Sequence, residues 1–191
     1  MLKVMIVDND VERTSSLKQS LIDTGFDVIA HIGDTVNLDS ACCELQPDIV
    51  IIDTESPSRD TLENICVMSM HEPRPIVMFT HDDDKAKIKS ATKAGVSAYV
   101  VGSIPNERLK PVIDAAIARF EEFKELKAEL LDANNKLAER KIIDRAKGLV
   151  MKQRGMSEDE AYSTLRSMAM QKNMRIATLS EQIIEAAKLL L

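Results

Sequence analysis

The chain has 191 residues, of which 45% are hydrophobic and 29% are charged, and its formal net charge is −6. This length allows one large domain or two modest ones, and the composition excludes an extensively disordered chain. Because no apolar run approaches the ~20 residues of a membrane-spanning helix and no signal-peptide core follows the N-terminus, we expect a cytoplasmic protein without membrane contact.

From Leu2 to about Ala118, short β-rich runs alternate with helical stretches, which is typical of β-α units on a parallel sheet. Gly25 and Gly95 each follow a helical stretch and precede a strand, as a left-handed residue at a helix end does. The pattern predicts an α/β domain with five parallel strands. These are Lys3–Val7, Asp27–Ile32, Ile49–Ile52, Ile76–Thr80 and Ala98–Val101.

Beyond about Asn106 the strand signals end, and residues 119–141 are almost all helix formers. In this long helix, apolar residues recur at alternating spacings of three and four, which makes a narrow seam on one face. The seam consists of Phe123, Leu126, Leu130, Ala133 and Leu137. It predicts a coiled coil that joins two copies as a homodimer, and packing on the chain's own domain is the alternative.

Two further helices are predicted after Gly155. Ser157 with Glu160, and Thr178 with Glu181, match the capping box that satisfies the first N–H groups of a helix. The C-terminal unit is therefore predicted to be all-α with three helices. The predicted domains are 1–118 (α/β), 119–138 (coiled-coil linker helix) and 139–191 (helical).

Polar residues stand at the carboxyl ends of the predicted strands, where open parallel sheets bind ligands. Asp8, Asn9 and Asp10 follow the first strand, Asp53 follows the third, and Thr80 ends the fourth. Two or three carboxylates here can hold Mg²⁺ while another accepts a phosphoryl group. Simple turn formation or helix capping by these residues is the alternative.

Over about residues 2–120 the chain resembles a response-regulator receiver, on the evidence of Val7-Asp8, Ile52-Asp53, Phe79-Thr80 and Tyr99-Val100-Val101. The resemblance implies a flavodoxin-like fold and places Asp53 at the phosphoacceptor position. It also implies that Asp8 belongs to the acidic cluster, Thr80 is the switch hydroxyl and Tyr99 is the switch aromatic.

Two departures from the receiver pattern weaken the implied chemistry. Asn9 stands at the second acidic position, where an amide is a weaker Mg²⁺ ligand, and Gly102 stands where a Lys would answer the charge of an acyl phosphate. Asp10 can replace only part of the lost carboxylate, so any Mg²⁺ site would be a weak one at Asp8, Asp10 and Asp53. We therefore favour a pseudo-receiver, which keeps the fold as a docking and dimerisation surface, over regulated phosphorylation.

The segment Arg140–Arg175 holds nine Lys or Arg residues against four Asp or Glu, which leaves −11 for the rest of the chain. On a helical wheel, one face of residues 140–154 is apolar and predicts a core. Cations occupy the remainder: Lys141, Arg145 and Lys152 on one side, and Arg140, Lys147 and Arg154 in a second stripe. Gly148 lies between them, and because Gly inside a helix costs up to ~1 kcal/mol relative to Ala, it indicates close approach of a ligand. A merely solvated basic helix is the alternative.

Three blocks resemble the ANTAR domain over about residues 125–191: Arg140–Met151, Gly155–Tyr162 and Leu165–Met170. Members of this family bind RNA hairpin pairs in nascent leader transcripts and prevent the terminator from forming. The resemblance implies an RNA-binding antiterminator and not an enzyme. It is strongest to members that control nitrate assimilation or amide use, in which a ligand-sensing partner protein holds the regulator inactive.

Tyr162 is the only aromatic residue of 139–191, and Arg166 follows one turn later. Stacking of a base on Tyr162 and contact of Arg166 with RNA would complete the binding set, although for Tyr162 we slightly favour packing. For Arg166 the alternative is a salt bridge with Asp159 or Asp144. The methionines of this region are predicted to fill the core, and the cysteines to be buried or half-buried thiols.

Two other functions are considered: a DNA-binding response regulator, and a signalling protein that binds only a protein partner. A helix-turn-helix needs a recognition helix rich in base-reading side chains, but the second helix here begins Ser157-Glu-Asp-Glu and presents acid to a groove. No nucleophile, base and orienting residue form a recognisable set, so catalysis is not expected.

Overall fold

A computed structural model describes residues 1–33 and 36–189 of the chain. Its elements are, in order, β1 (Lys3–Val7), α1 (Val11–Asp23), β2 (Asp27–Ile32), α2 (Leu38–Leu45), β3 (Ile49–Thr54), α3 (Arg59–His71), β4 (Ile76–Thr80), α4 (Lys85–Ala94), β5 (Ala98–Val101), α5 (Asn106–Arg154), α6 (Glu158–Gln171) and α7 (Ile176–Leu189). The contacts divide the chain into two compact units, residues 1–124 and 125–191. None of the helices in the described ranges is long and apolar enough to cross a bilayer.

The first unit contains a five-stranded parallel sheet in the order β2-β1-β3-β4-β5. This order confirms the flavodoxin-like fold, and it reverses direction beside β1, where such sheets form a crevice. Four of the five predicted strands have the expected bounds. The third continues to Thr54, because Asp53 and Thr54 pair with Phe79 and Thr80 of β4. Asp53 therefore lies within the strand and not after it.

Alternation along the strands supplies two cores, one on each face of the sheet. Met5 and Val7 point to the face that α2, α3 and α4 cover, whereas Val4 and Ile6 point to the face that α1 and the start of α5 cover. Gly25 and Gly95 have φ of +93° and +120°, which confirms their predicted place after helices. Because all neighbouring strands are parallel, their carboxyl ends lie at one edge of the sheet.

The second unit packs the C-terminal part of α5 with α6 and α7 around Ala146, Leu165 and Ile184. Ile142, Leu149 and Val150 pack against this core, which confirms the predicted apolar face. The unit is all-α, as predicted.

One of the two predicted capping boxes is present. The Ser157 side chain accepts from the Glu160 N–H and the Glu160 carboxylate accepts from the Ser157 N–H, which caps α6. The box at Thr178 is wrong, because α7 begins at Ile176 and the N–H of Leu179 already donates to the carbonyl of Arg175 at 3.1 Å. A residue inside the first turn cannot cap it.

The sulfur-containing residues are less uniformly buried than predicted. Cys42 is buried and Cys66 half-buried, but its neighbour Cys43 is exposed, since adjacent residues on a helix point about 100° apart. Burial raises the pKa of the Cys42 thiol to about 11. Met170 is 72% exposed and does not fill the core, because it follows buried Ala169 on α6.

Candidate functional site

The first predicted site, at the carboxyl ends of the strands, centres on a buried carboxylate. Asp8 is 2% exposed; its Oδ1 accepts from the Asp10 N–H at 2.9 Å and its Oδ2 accepts from the Thr14 hydroxyl at 2.9 Å. The His31 Nε2 lies 2.9 Å from the Asp8 carbonyl oxygen. Asp8 therefore organises the turn into α1 with both of its oxygens.

This donor set does not fit a Mg²⁺ ion. Within residues 1–33 and 36–189, no three His, Cys, Asp or Glu side chains come together as a group that could hold a metal. Both oxygens of Asp8 accept hydrogen bonds from the protein, and Asn9 supplies an amide where receivers need a carboxylate. The weak site at Asp8, Asp10 and Asp53 stays a prediction that this geometry does not favour.

A cleft of about 220 Å³ opens at the ends of β3, β4 and β5. Asp53, Thr80 and Gly102 line it together, so the structure brings to one place the predicted phosphoacceptor position, the predicted switch hydroxyl and the position where the receiver pattern has Lys. The Gly102 N–H donates to the Thr80 carbonyl at 2.8 Å, at a φ of +79°. The cleft lies where a receiver has its pocket, and Gly102 lines it at the position where the receiver pattern has Lys.

Thr80 and Tyr99, the two predicted switch residues, both form hydrogen bonds with the β4–α4 loop. The Thr80 hydroxyl donates to the Glu55 carbonyl at 2.8 Å and accepts from the Asp82 N–H at 3.2 Å. The Tyr99 hydroxyl donates to the Asp82 carbonyl at 2.9 Å, and burial raises the pKa of Tyr99. These bonds hold the loop against the strand ends.

A second set of polar contacts fixes the same loop, and the sequence analysis did not identify it. Lys87 Nζ donates to Asp82 Oδ2 and to Ser56 Oγ, each at 2.6 Å. The hydrogen bonds from Lys87 and then from Ser56 lower the pKa of Asp82 to about 2. Lys87 is on α4, whereas the Lys of the receiver pattern follows the fifth strand, where this chain has Gly102. The receiver pattern therefore did not point to Lys87.

The second predicted site is the basic surface of α5 in the helical unit. Gly148 is exposed there, and a β-carbon placed on it would meet no heavy atom within 4 Å. Five of the six predicted cations are exposed around it: Arg140, Lys141, Arg145, Lys152 and Arg154. The structure therefore keeps this surface open to a ligand.

Lys147 is the exception among the predicted cations. Its side chain is only 14% exposed, and its Nζ lies 2.7 Å from Asp144 Oδ1 and 2.6 Å from Glu158 Oε1. These hydrogen bonds, that to Asp144 first, raise the pKa of Lys147. Because Glu158 is the first residue of α6, Lys147 ties α6 to α5 and does not stand out in the basic stripe.

The outer face of α6 carries the remaining predicted residues. Tyr162 is 43% exposed, so part of its ring is accessible to a base and part is covered by the protein. Arg166 is exposed and forms no ion pair in the part of the chain that the structure describes, since Asp144 pairs with Lys147 instead. With Met170 they make a stripe at intervals of four, which is one face of a helix.

Residues 4–114 match the response regulator receiver domain family. The chain belongs to this family. Residues 131–184 of the regulator match the ANTAR domain. Both matches agree with the resemblances in the sequence, and both domains are regulatory.

Relatives of the regulator cover one or both parts of it. The transcriptional regulatory protein PdtaR of Mycobacterium tuberculosis is 27% identical over 183 residues, which are 96% of this chain and 89% of PdtaR. The nitrate regulatory protein of Klebsiella oxytoca is 36% identical over 63 residues, 33% of this chain and 16% of that protein. A two-component response regulator of the LuxR family from Aurantimonas sp. SI85-9A1 has a similar structure, with a TM-score of 0.55 and 26% identity over 62% of this chain and 86% of that chain.

Proposed function

We propose that the regulator is an RNA-binding transcription antiterminator, which binds hairpins in nascent leader transcripts and so prevents the terminator from forming. The observation that carries the proposal is that the ANTAR match over residues 131–184 coincides with the open basic surface around Gly148. RNA loops present unstacked bases between phosphates, and this surface offers cations beside accessible backbone.

The proposed RNA surface extends from α5 to α6 within the helical unit. Tyr162 offers an exposed ring on which a base can stack, and Arg166, one turn later, offers a guanidinium to phosphate or a base edge. The ion pair of Lys147 with Glu158 joins the two helices that carry this surface. The RNA contacts are assigned to Arg140, Lys141, Arg145, Gly148, Lys152, Arg154, Tyr162 and Arg166.

Retention of the full chain by an RNA hairpin pair, compared with duplex DNA of equal length at the same salt concentration, tests the proposal. We expect the hairpins to bind at least about tenfold more tightly than the duplex, a difference of about 1.4 kcal/mol. Tighter binding of duplex DNA would identify a DNA-binding response regulator. Failure to retain either nucleic acid would leave only protein binding.

The receiver is proposed to act as a pseudo-receiver and not through phosphorylation of Asp53. Because the donor set does not fit Mg²⁺ and Gly102 supplies no cation, Asp53→Ala is expected to change the affinity for hairpin RNA by less than about twofold. Titration of both proteins, with and without a small phosphodonor, measures this. Stable labelling of Asp53 with a rise in RNA affinity would show that the pocket still signals.

The regulator is proposed to form a homodimer through the seam of α5. Phe123, Leu126, Leu130 and Leu137 are 57–65% exposed among the residues that the structure describes, which supports an interface over packing on the chain's own domain. Their spacing fits the a and d positions of a coiled coil. We expect Leu130→Glu to convert a dimer to a monomer in sedimentation, because it buries a charge in the seam.

Leu131→Glu is the matched control, since Leu131 is equally exposed, at 63%, but lies off the seam. It should remain dimeric. A dimer that survives Leu130→Glu would exclude the seam as the interface.

Four further assignments complete the proposal. We assign the regulator to the cytoplasm and to nitrogen metabolism, with a ligand-sensing protein as an inhibitory partner; the match to the nitrate regulatory protein supports the metabolic assignment. We propose residues 1–118, 119–138 and 139–191 as receiver, coiled-coil linker and RNA-binding domain, the last two residues being outside the described ranges. Co-purification of the regulator with such a partner, and release of the partner by nitrate or an amide, would test the assignment of an inhibitory partner.

A further inference from the structure

A groove of about 540 Å³ runs between α3 and α4 on the receiver, away from the strand-end cleft. Its floor is apolar, with Leu62 and Cys66 from α3 and Ala86 and Ala94 from α4. Met70 follows Cys66 by one turn on α3 and is 71% exposed. Leu62, Cys66 and Met70 therefore form one continuous apolar strip along α3.

Helix α4 forms the opposite wall of the groove, which its Lys87 and Lys93 line. Helix α4 contains four Lys residues and no acidic residue between Lys85 and Ala94. Lys85, Lys89 and Lys93 are all exposed and spaced by four, an arrangement of like charges that destabilises a helix. In the described ranges none of these three forms a salt bridge, whereas Lys87 pairs with Asp82 and Arg59 pairs with Glu63.

The combination restricts what can occupy the groove. An apolar strip some two turns long matches the hydrophobic face of a helix, and the uncompensated lysines beside it match carboxylates. Nucleic acid satisfies only the second requirement, because phosphates leave the strip of Leu62, Cys66 and Met70 uncovered. A partner that places carboxylates beside these lysines would relieve the repulsion between them.

We propose that the α3–α4 groove binds an acidic amphipathic helix of a partner protein. Leucine-like side chains of that helix lie on Leu62 and Cys66, and its carboxylates lie against Lys93 in the groove and reach Lys89, one turn earlier on α4. This inference is independent of RNA binding by the helical unit, which uses other residues.

The test is fluorescence anisotropy of full-length regulator with a labelled 16-residue synthetic helix that has Leu at positions i, i+4, i+7 and i+11 and mostly Glu elsewhere. A peptide of the same composition with the order scrambled is the control probe. We expect the amphipathic helix to bind at least about tenfold more tightly than the scrambled peptide, and its affinity to fall as salt is raised.

Three variants locate the site. Lys93→Glu and Met70→Ser are each expected to weaken peptide binding by at least about fivefold, one through charge and the other through the apolar strip. Lys18→Glu, the same charge change at an exposed position of α1, should stay within about twofold. Thermal unfolding confirms that each variant is folded.

The proposal is overturned if the scrambled peptide binds as well as the amphipathic one, or if Lys93→Glu has no larger effect than Lys18→Glu. It is also overturned if an RNA hairpin displaces the peptide, which would make the lysines a nucleic-acid surface. Retained RNA binding in Lys93→Glu separates failure here from failure of the antitermination proposal.

Discussion

Gly148→Leu is expected to lower the affinity of the regulator for hairpin RNA by about 100-fold, or about 2.7 kcal/mol, while stabilising the free protein. The position is exposed and a β-carbon there meets nothing within 4 Å, so the protein itself accommodates the side chain. Leu is favoured over Gly inside a helix by roughly 0.8 kcal/mol, so unfolding should require a higher temperature. The loss of affinity would then report RNA at the backbone of α5.

RNA titration and thermal unfolding of the same preparation measure both effects. Gly148→Ala should be intermediate in affinity, since its side chain is a single methyl group. Gln153→Leu, at another exposed position of α5, should bind RNA normally and controls for added apolar surface. Undiminished affinity of Gly148→Leu would place the RNA elsewhere.

Arg166→Ala is expected to weaken hairpin binding by about 10- to 100-fold and to reduce the slope of log affinity against log salt by about one. The exposed guanidinium has no ion-pair partner among the described residues, so it can give its whole charge to RNA. Lys147→Met should leave that slope unchanged and instead lower the unfolding temperature, because the ammonium joins Asp144 to Glu158.

The test compares the salt slopes and unfolding temperatures of the two variants. Both remove one positive charge, so a general loss of positive charge would change both salt slopes equally. A lower slope for Lys147→Met with unchanged unfolding would show that its ion pairs open to bind RNA.

The fold of the receiver was predictable from sequence because its strands are buried on both faces and read as apolar runs. The prediction ended β3 too early because the strand finishes in two polar residues, Asp53 and Thr54. Their pairing with β4 cannot be read from hydropathy. The false capping box at Thr178 has a similar origin. The motif was present, but a start three residues earlier depends on how the chain leaves α6, with Asn173 at φ +52°.

The site residues were predictable to the extent that each depends on its own helix. The wheel located the apolar face of α5 and the exposed cations correctly. It misjudged Lys147, because the partner that withdraws the side chain, Glu158, belongs to the next helix. Likewise the contact of Lys87 with Ser56 joins residues 31 apart in sequence, which no local pattern indicates.

The backbone at Gly102 has a consequence for protein engineering. With φ at +79° and its N–H bonded to Thr80, this residue sits where a side chain adds strain of roughly 1–2 kcal/mol. A Gly102→Lys variant would bear that cost at once, and Asn9 would still stand at the second acidic position of the receiver pattern. Giving the chain the full pattern therefore requires substitutions at both positions and a compensating stabilisation of the fold.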